Sequence, residues 1–288
     1  MTAKRLSRDA LGWTVLEQLV ANNIDVRADQ AVGAAAGAGI FSGDQCAKLG
    51  KALDSVRPLP PLWTAVDMGE RWSMLDWTES IATGSLRTRA ARNPGFELAA
   101  RPLEAIDRNS VDWNAALRQI NGDDDEIVNI LKTPLVKDAQ LARWVFDQRF
   151  AQIRAMRPSN RALARQPGES RTVYTQRVTD GILSVVLPSL WRADDRFRMG
   201  VLSREMARAV VAAAQYRAQK GKWPHELEDL TPQYLPQVPR KIFSATGTEF
   251  VRYRKTAAGI CLYARGVPGS AWREIAIGVA PQTDDSGL

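Results

Sequence analysis

Apolar residues recur at helical spacing through most of this chain. Leu16, Leu19, Val20 and Ile24 repeat at helical spacing, which predicts an opening helix. Ser42 and Gln45 stand in a capping-box pattern, each side chain able to satisfy the other's backbone N–H. The helix they start puts Cys46, Leu49, Leu53 and Val56 on one face, until Pro58, Pro60 and Pro61 end it. A third helix, over 62–81, carries Val66, Trp72 and Leu75. Residues 83–102 read as a long connection. Asn109 or Ser110 then caps a helix bearing Trp113, Leu117 and Ile120, with a break expected at Asn121-Gly122. Phe146, Phe150 and Ile153 predict a helix over 138–156, and 172–187 is read as helical too.

The longest helix is predicted over 193–220. Met199, Leu202, Met206, Ala209, Ala213 and Tyr216 form a narrow stripe, rich in alanine towards its end, where a neighbour can pack closely. Gly221 stops it, because glycine tolerates the left-handed conformation. Beyond it come Trp223-Pro224, a short helix holding Glu226 and Asp229, and a proline-rich run through Tyr234 and Leu235 to Pro239. Strand patterns at 250–254 and 260–263 flank a hairpin signal at Ala257-Ala258-Gly259. A second signal, Pro268-Gly269-Ser270, precedes a strand over 272–279. The fold class expected is mainly α with a small α+β C-terminal module. A helical region, 1–192, precedes a long helix packed on a short antiparallel sheet, 193–288.

The order of residues in this last region carries a resemblance. Tyr216-Arg217, Gly221-Lys222-Trp223-Pro224, Leu227, Leu230, Pro232, Tyr234-Leu235-Pro236 and a later Tyr253-Arg254 strand resemble the soluble part of type II secretion pseudopilins. They also look like the C-terminal module of a large family of helix-rich bacterial envelope proteins. Glu70-Arg71-Trp72 with Leu75-Asp76, and Asp112-Trp113-Asn114 with Leu117 and Asn121, look like recurring blocks of that second family. The resemblance implies a fold and an envelope location, with no assigned activity. The acidic calcium loop of major pseudopilins has no counterpart, since Gly266-Val267-Pro268-Gly269 carries no carboxylate.

Composition narrows the chemistry. The chain has 288 residues, 45% of them hydrophobic, which suffices for one large or two smaller cores. No apolar run is long enough to span a bilayer. The location expected is extracytoplasmic if an N-terminal anchor was removed, and cytoplasmic otherwise. Cys46 and Cys261 match no metal spacing and read as two buried free thiols. His225 is the single histidine, which excludes a two-histidine zinc site, and no Gly-x-Ser-x-Gly turn supports it as a catalytic base. Gly33, Gly37 and Gly39 lie in an alanine-rich run with no Lys-Ser/Thr, so they build no phosphate loop. Asp123-Asp124-Asp125-Glu126 reads as a solvated helix start, because consecutive acids point in different directions. No cofactor or metal is expected. The favoured function is a non-catalytic envelope protein acting through a protein partner or self-association.

Two alternatives stand beside it. Glu70 and Asp76, with Glu79 beyond, are the carboxylates from which a hydrolase would draw an acid pair; the simpler reading is an ion pair and a core anchor, Glu70-Arg71 beside Trp72 and Trp77. The segment 143–177 holds eight arginines against Asp147 and Glu169, nearly the chain's whole excess of +7. Its Arg154, Arg157, Arg161 and Arg165 could bind an anionic polymer, because guanidinium forms paired bonds to phosphate. On that alternative, the protein is retained on heparin or nucleic acid in a salt-sensitive manner. Reversing the charge of those four arginines would then abolish retention, as a salt-gradient elution measures.

Overall fold

The computed structural model describes residues 2–4, 14–85, 101–132, 163–239, 251–265 and 274–279. It is mostly helical, with a three-stranded antiparallel sheet near the C-terminus packed against a long helix. The helices are α1 (Val15–Gly37), α2 (Gly43–Ser55), α3 (Leu62–Ala65), α4 (Arg71–Thr83), α5 (Trp113–Lys132) and α6 (Arg171–Lys220). The strands are β1 (Arg252–Thr256), β2 (Gly259–Arg265) and β3 (Glu274–Gly278), in spatial order β1-β2-β3. The predicted helix over 138–156 and the second hairpin signal lie outside the described residues.

The chain forms two compact units. One comprises Met1–Gly12, Leu16–Pro60 and Asp194–Leu288; the other comprises Trp13–Val15 and Pro61–Ala193. Residues 16–60 group with 194–288, and not with the helices that follow them in sequence. Contacts explain the difference. The Asn22 amide donates to the Arg196 carbonyl at 2.8 Å, a Cβ at Gly200 would overlap the Asn22 side chain, and one at Gly39 would overlap Arg217. Contact positions thus rise together along both helices, so α1 runs beside α6 in the same direction.

α6 is longer than predicted. Its 50 residues merge the helix read over 172–187 with the one read from 193, through Pro188. Proline removes one helical donor, and the continuous turns on both sides tolerate that loss. In the C-terminal unit α6 is buried on every side, from Ala209 through Ala214. Its neighbours are α1, α2 and the inward residues of the sheet: Ile260, Leu262 and Ala264 of β2, and Ile275 and Ile277 of β3. These alternate along each strand, as a sheet with one face on a core requires.

α2 follows its expectation closely. The Gln45 N–H donates to Ser42 Oγ at 3.3 Å, and the Ser42 N–H donates to Gln45 Oε1 at 2.9 Å. Cys46 and Leu53 are buried. Its C-terminal turn has no basic residue of its own. Arg204 of α6 supplies one, donating to the carbonyls of Leu53 and Val56, while Arg208 holds Asp54 through two bonds of 2.8 and 2.9 Å. The β1–β2 hairpin turns at Ala257-Ala258, with Thr256 opposite Gly259. Gly259 is required by its φ of +147° and by the Gly37 carbonyl, which sits where a Cβ would be.

The second unit corrects three expectations. Residues Val66–Glu70 form a π turn between α3 and α4. That wider turn rotates the face that follows, so Met74, Thr78 and Ile81 point inward and Trp72 is 65% exposed, where an inward position was predicted. α5 runs unbroken through Asn121-Gly122, since glycine inside a helix costs only about 1 kcal/mol. Its cap is Asp112, whose carboxylate accepts from the Ala115 N–H at 3.0 Å; Asn109 and Ser110 lie in a preceding 3₁₀ turn.

Two glycines of similar helical context should therefore respond oppositely to alanine. A Cβ at Gly37 would meet three backbone atoms, including the Ile260 oxygen at 2.8 Å, whereas one at Gly122 meets nothing within 4 Å. Gly37→Ala is expected to destabilise by about 2 kcal/mol through overpacking. Gly122→Ala should stabilise by roughly 0.5–1 kcal/mol through helix propensity. Urea unfolding of the two variants measures both signs.

Candidate functional site

The distinctive order of residues after α6 is absorbed by packing. Gly221 has φ +73° and donates from its N–H to the Arg217 carbonyl at 2.8 Å, closing the helix. The Arg217 guanidinium lies over the Trp223 ring at 4.7 Å, a cation–π contact. Tyr216 and Tyr234 meet edge to face with centroids 5.6 Å apart, and the Tyr234 hydroxyl donates to Gln219 Oε1 at 2.6 Å. The Tyr253 hydroxyl donates to the Pro224 carbonyl at 3.1 Å, tying β1 to the turn. Asp229 gathers the backbone N–H groups of His225 at 2.7 Å and Glu226 at 3.3 Å. The His225 side chain is exposed at this turn.

The two N-terminal sequence blocks meet in the second unit. Arg71 donates to Asn121 Oδ1 at 3.0 Å and to Asp125 at 2.7 Å, and it pairs with Asp67 at 2.9 Å. This node fastens α4 to α5. It also changes the reading of the acidic run. The run sits within α5 and does not start it; Asp125 binds Arg71, and Asp123 is buried. Asp180 carries a raised pKa, chiefly from burial, and accepts from Gln176 at 2.8 Å. No group of three or more His, Cys, Asp or Glu side chains able to hold a metal occurs among the described residues. Of the acid pair, Asp76 lies exposed on α4. The Glu70 side chain is outside the described ones.

Of the arginine segment, Arg154, Arg157 and Arg161 lie outside the described residues. Arg165 is described, and it is used internally. It donates to Ser110 Oγ at 2.8 Å and to the Glu169 carbonyl at 3.2 Å. Arg177 pairs with Glu169 at 2.6 Å and lies 5.2 Å from the Tyr174 ring centre. That pair holds the Glu169 carboxyl below its ordinary pKa. Arg171 donates to the Val111 carbonyl at 3.0 Å. Arg165 and Arg171 thus anchor the turn before α6 to Ser110 and Val111, and Arg177 ties it to Glu169.

The feature that sequence reasoning missed is the make-up of the buried face of α1. The helix forms where expected, and two of its apolar residues, Leu16 and Val20, are 69% and 52% exposed. Its buried face is mixed: Gln18, Asn22, Asp25 and Asp29 lie among Val15, Ala21, Val26, Gly33 and Ala36. These positions keep helical spacing. Two carboxylates one turn apart, on Asp25 and Asp29, converge on the Lys4 ammonium at 3.8 and 2.8 Å. Lys4 and Asp29 are 1% and 0% exposed. Burial raises the Asp29 pKa to about 6, against the lowering pull of Lys4; Asp25 adds to the rise, and Arg204 opposes it. Gln18 Oε1 of α1 and Ser203 Oγ of α6 are buried with no hydrogen-bond partner among the described residues. Each such orphan costs about 1–3 kcal/mol.

Cys46 and Cys261 are buried and unbridged, and burial pushes both thiols up. No helix among the described residues is long and apolar enough to cross a membrane.

The raised Asp29 pKa has a sign that can be measured. The folded state binds the proton more tightly than the unfolded chain, whose carboxyl titrates near 3.8. Between those values the folded state holds more protons, so this group's contribution worsens as pH rises through about 6 and is relieved as pH falls towards 4. The stability of the wild type relative to Asp29→Asn should improve by about 2 kcal/mol from pH 7 to pH 4, because each tenfold gain in proton affinity is worth about 1.4 kcal/mol and the unfolded carboxyl is itself partly protonated at pH 4. Paired denaturant titrations at both pH values check it. Compared with family models, with curated proteins and with solved structures, the chain finds no match.

Proposed function

We propose that this chain is a non-catalytic cell-envelope protein that works through protein–protein contact, by a partner or by self-association, with the outward end of α1 as its contact surface. The observation that carries this reading is the exposure of two large aliphatic side chains on a helix that buries four polar ones beside its valines and alanines. Four polar side chains are buried along the helix while Leu16 and Val20, one turn apart, face water. Burying amides and carboxylates is expensive, and exposing two large aliphatic side chains forgoes about 1.5–3 kcal/mol each. Paired aliphatic residues on an exposed helical face are the usual anchors of helix docking. The resemblance of the region after α6 to pseudopilins and helix-rich envelope proteins supports the envelope location.

A photo-crosslinking amino acid placed at Val20, and separately at Gln30 on the polar part of the same exposed stripe, tests this in the native host. A discrete adduct is expected from position 20 and none from position 30. With the crosslinker at Leu16, Val20→Asp should cut the adduct at least about tenfold, while the folded stability changes by no more than about 0.5 kcal/mol, as for an exposed site. Equal labelling at 20 and 30, or no adduct at 20, refutes the reading.

A further inference from the structure

Three loops of the C-terminal unit meet where α1 and α6 end. The two helices run in the same direction, so α1 stops at Gly37 and α6 at Lys220 on one side of the unit. The α1–α2 loop lies against the last turn of α6: a Cβ at Gly39 would overlap Arg217 and touch Trp223, and one at Gly43 would touch Ala218. The β1–β2 hairpin closes on the same place, since a Cβ at Gly259 would overlap the Gly37 carbonyl and meet Ala38. The Tyr253 hydroxyl, bonded to the Pro224 carbonyl, ties β1 to the segment after α6.

These loops carry an apolar tip among cations. Ile40 is 72% exposed, more than any other large apolar side chain among the described residues. Ala257 and Ala258, at the hairpin turn, are exposed as well. Lys220 and Lys222 flank the end of α6 and Lys255 precedes the hairpin turn; all three are exposed. Lys220 offsets the negative end of the α6 dipole, whereas Lys222 and Lys255 lie outside any helix. The exposed acids of the adjoining segments, Asp44 and Glu226, stand at the starts of α2 and of the 3₁₀ turn Leu227–Leu230. Three of the chain's nine lysines are gathered here, in a sequence where arginine prevails. Lysine is a compact charge on a flexible stem, which suits mobile phosphate headgroups, whereas arginine suits one planar acceptor.

We propose that this end of the unit binds the surface of a bilayer rich in anionic lipid, with Ile40 and the Ala257-Ala258 turn at the acyl boundary and Lys220, Lys222 and Lys255 against the headgroup phosphates. An aliphatic side chain gains by leaving water at that boundary, and ammonium groups on long stems stay at headgroup level while it does so. Each lysine adds attraction to the negative surface. The surface is separate from the contact assigned to Leu16 and Val20, which lie in the opposite half of α1.

Co-flotation of the full chain with vesicles tests this. Vesicles of equal parts phosphatidylglycerol and phosphatidylcholine should carry the protein, and pure phosphatidylcholine vesicles should not. Salt at about 1 M, which screens charges beyond about 3 Å, should release it. Ile40→Asp and, separately, Lys220→Glu with Lys222→Glu should each lower the partition at least about tenfold, since one lysine near an anionic surface is worth about fivefold. Arg27→Glu with Lys51→Glu makes the same change of charge at exposed positions elsewhere in the unit and should cost less than the lysine pair. Val20→Asp should leave vesicle binding unchanged, which separates this surface from the α1 contact. The substituted residues are exposed, and circular dichroism checks that each variant is folded; should Ile40→Asp or the lysine pair fail to fold, the other decides. Absence of binding to the anionic vesicles overturns the proposal. So does binding that ignores Ile40→Asp, or a loss in the Arg27 and Lys51 variant as large as that of the lysine pair.

Discussion

A helix enclosed on every side is the constraint from which the C-terminal unit follows. From Ala209 to Ala214 no face of α6 reaches water, and the side chains there are methyl groups or valines. Small side chains make a thin rod, and a thin rod lets three neighbours approach at once: α1, α2 and the sheet. The same economy of volume recurs where α1 meets the sheet, at Gly33 and Gly37, whose missing Cβ atoms leave room for Ile277 and for the backbone at Ile260 and Gly278. Larger residues at any of these points would separate layers that now share one core.

This arrangement explains which parts of the fold were legible in the sequence. α2 was readable to the residue, because its signals are local: a capping box, a four-residue apolar face and a proline stop. The C-terminal strands were readable because they alternate and a glycine follows their turn. The π turn before α4 was not, since nothing in Val66–Glu70 distinguishes it from an α turn, and so the direction of Trp72 was misjudged. Asn121-Gly122 suggested a break that α5 does not show, and α6 continues through Pro188. Propensity is a weak prior, and long helices absorb one unfavourable residue.

The candidate site was less legible for a more instructive reason. Sequence reading assigns the inward face of a helix to its apolar residues, and in α1 that rule misses the buried polar positions and the exposure of Leu16 and Val20. What the rule lacks is knowledge of the partner. Here the surfaces facing α1 offer the Arg196 carbonyl to Asn22 and the Lys4 ammonium to Asp25 and Asp29. A polar face is buried because its bonds wait on other segments, and those segments are far away in the chain. The arginines of 163–177 teach the complementary lesson. Their local excess of charge looked like a surface for an anion, yet Arg165, Arg171 and Arg177 close a turn through hydroxyl, carbonyl and carboxylate oxygens already in the protein.

The side-by-side, same-direction course of α1 and α6 also sets an order of events during synthesis. Parallel neighbours need a long return path, and residues 61–193, which form the other unit, provide it. Emerging from the ribosome, α1 and α2 therefore have no α6 to enclose until the whole of that intervening unit has been made. Throughout that interval the polar stripe of α1 remains hydrated, which suits an orphan segment better than a greasy one would. The contacts of residues 61–193 lie nearer in sequence and can form earlier. Amides and carboxylates on the inward face of α1, among its buried valines and alanines, thus also help an unfinished half stay soluble while it waits for its other half.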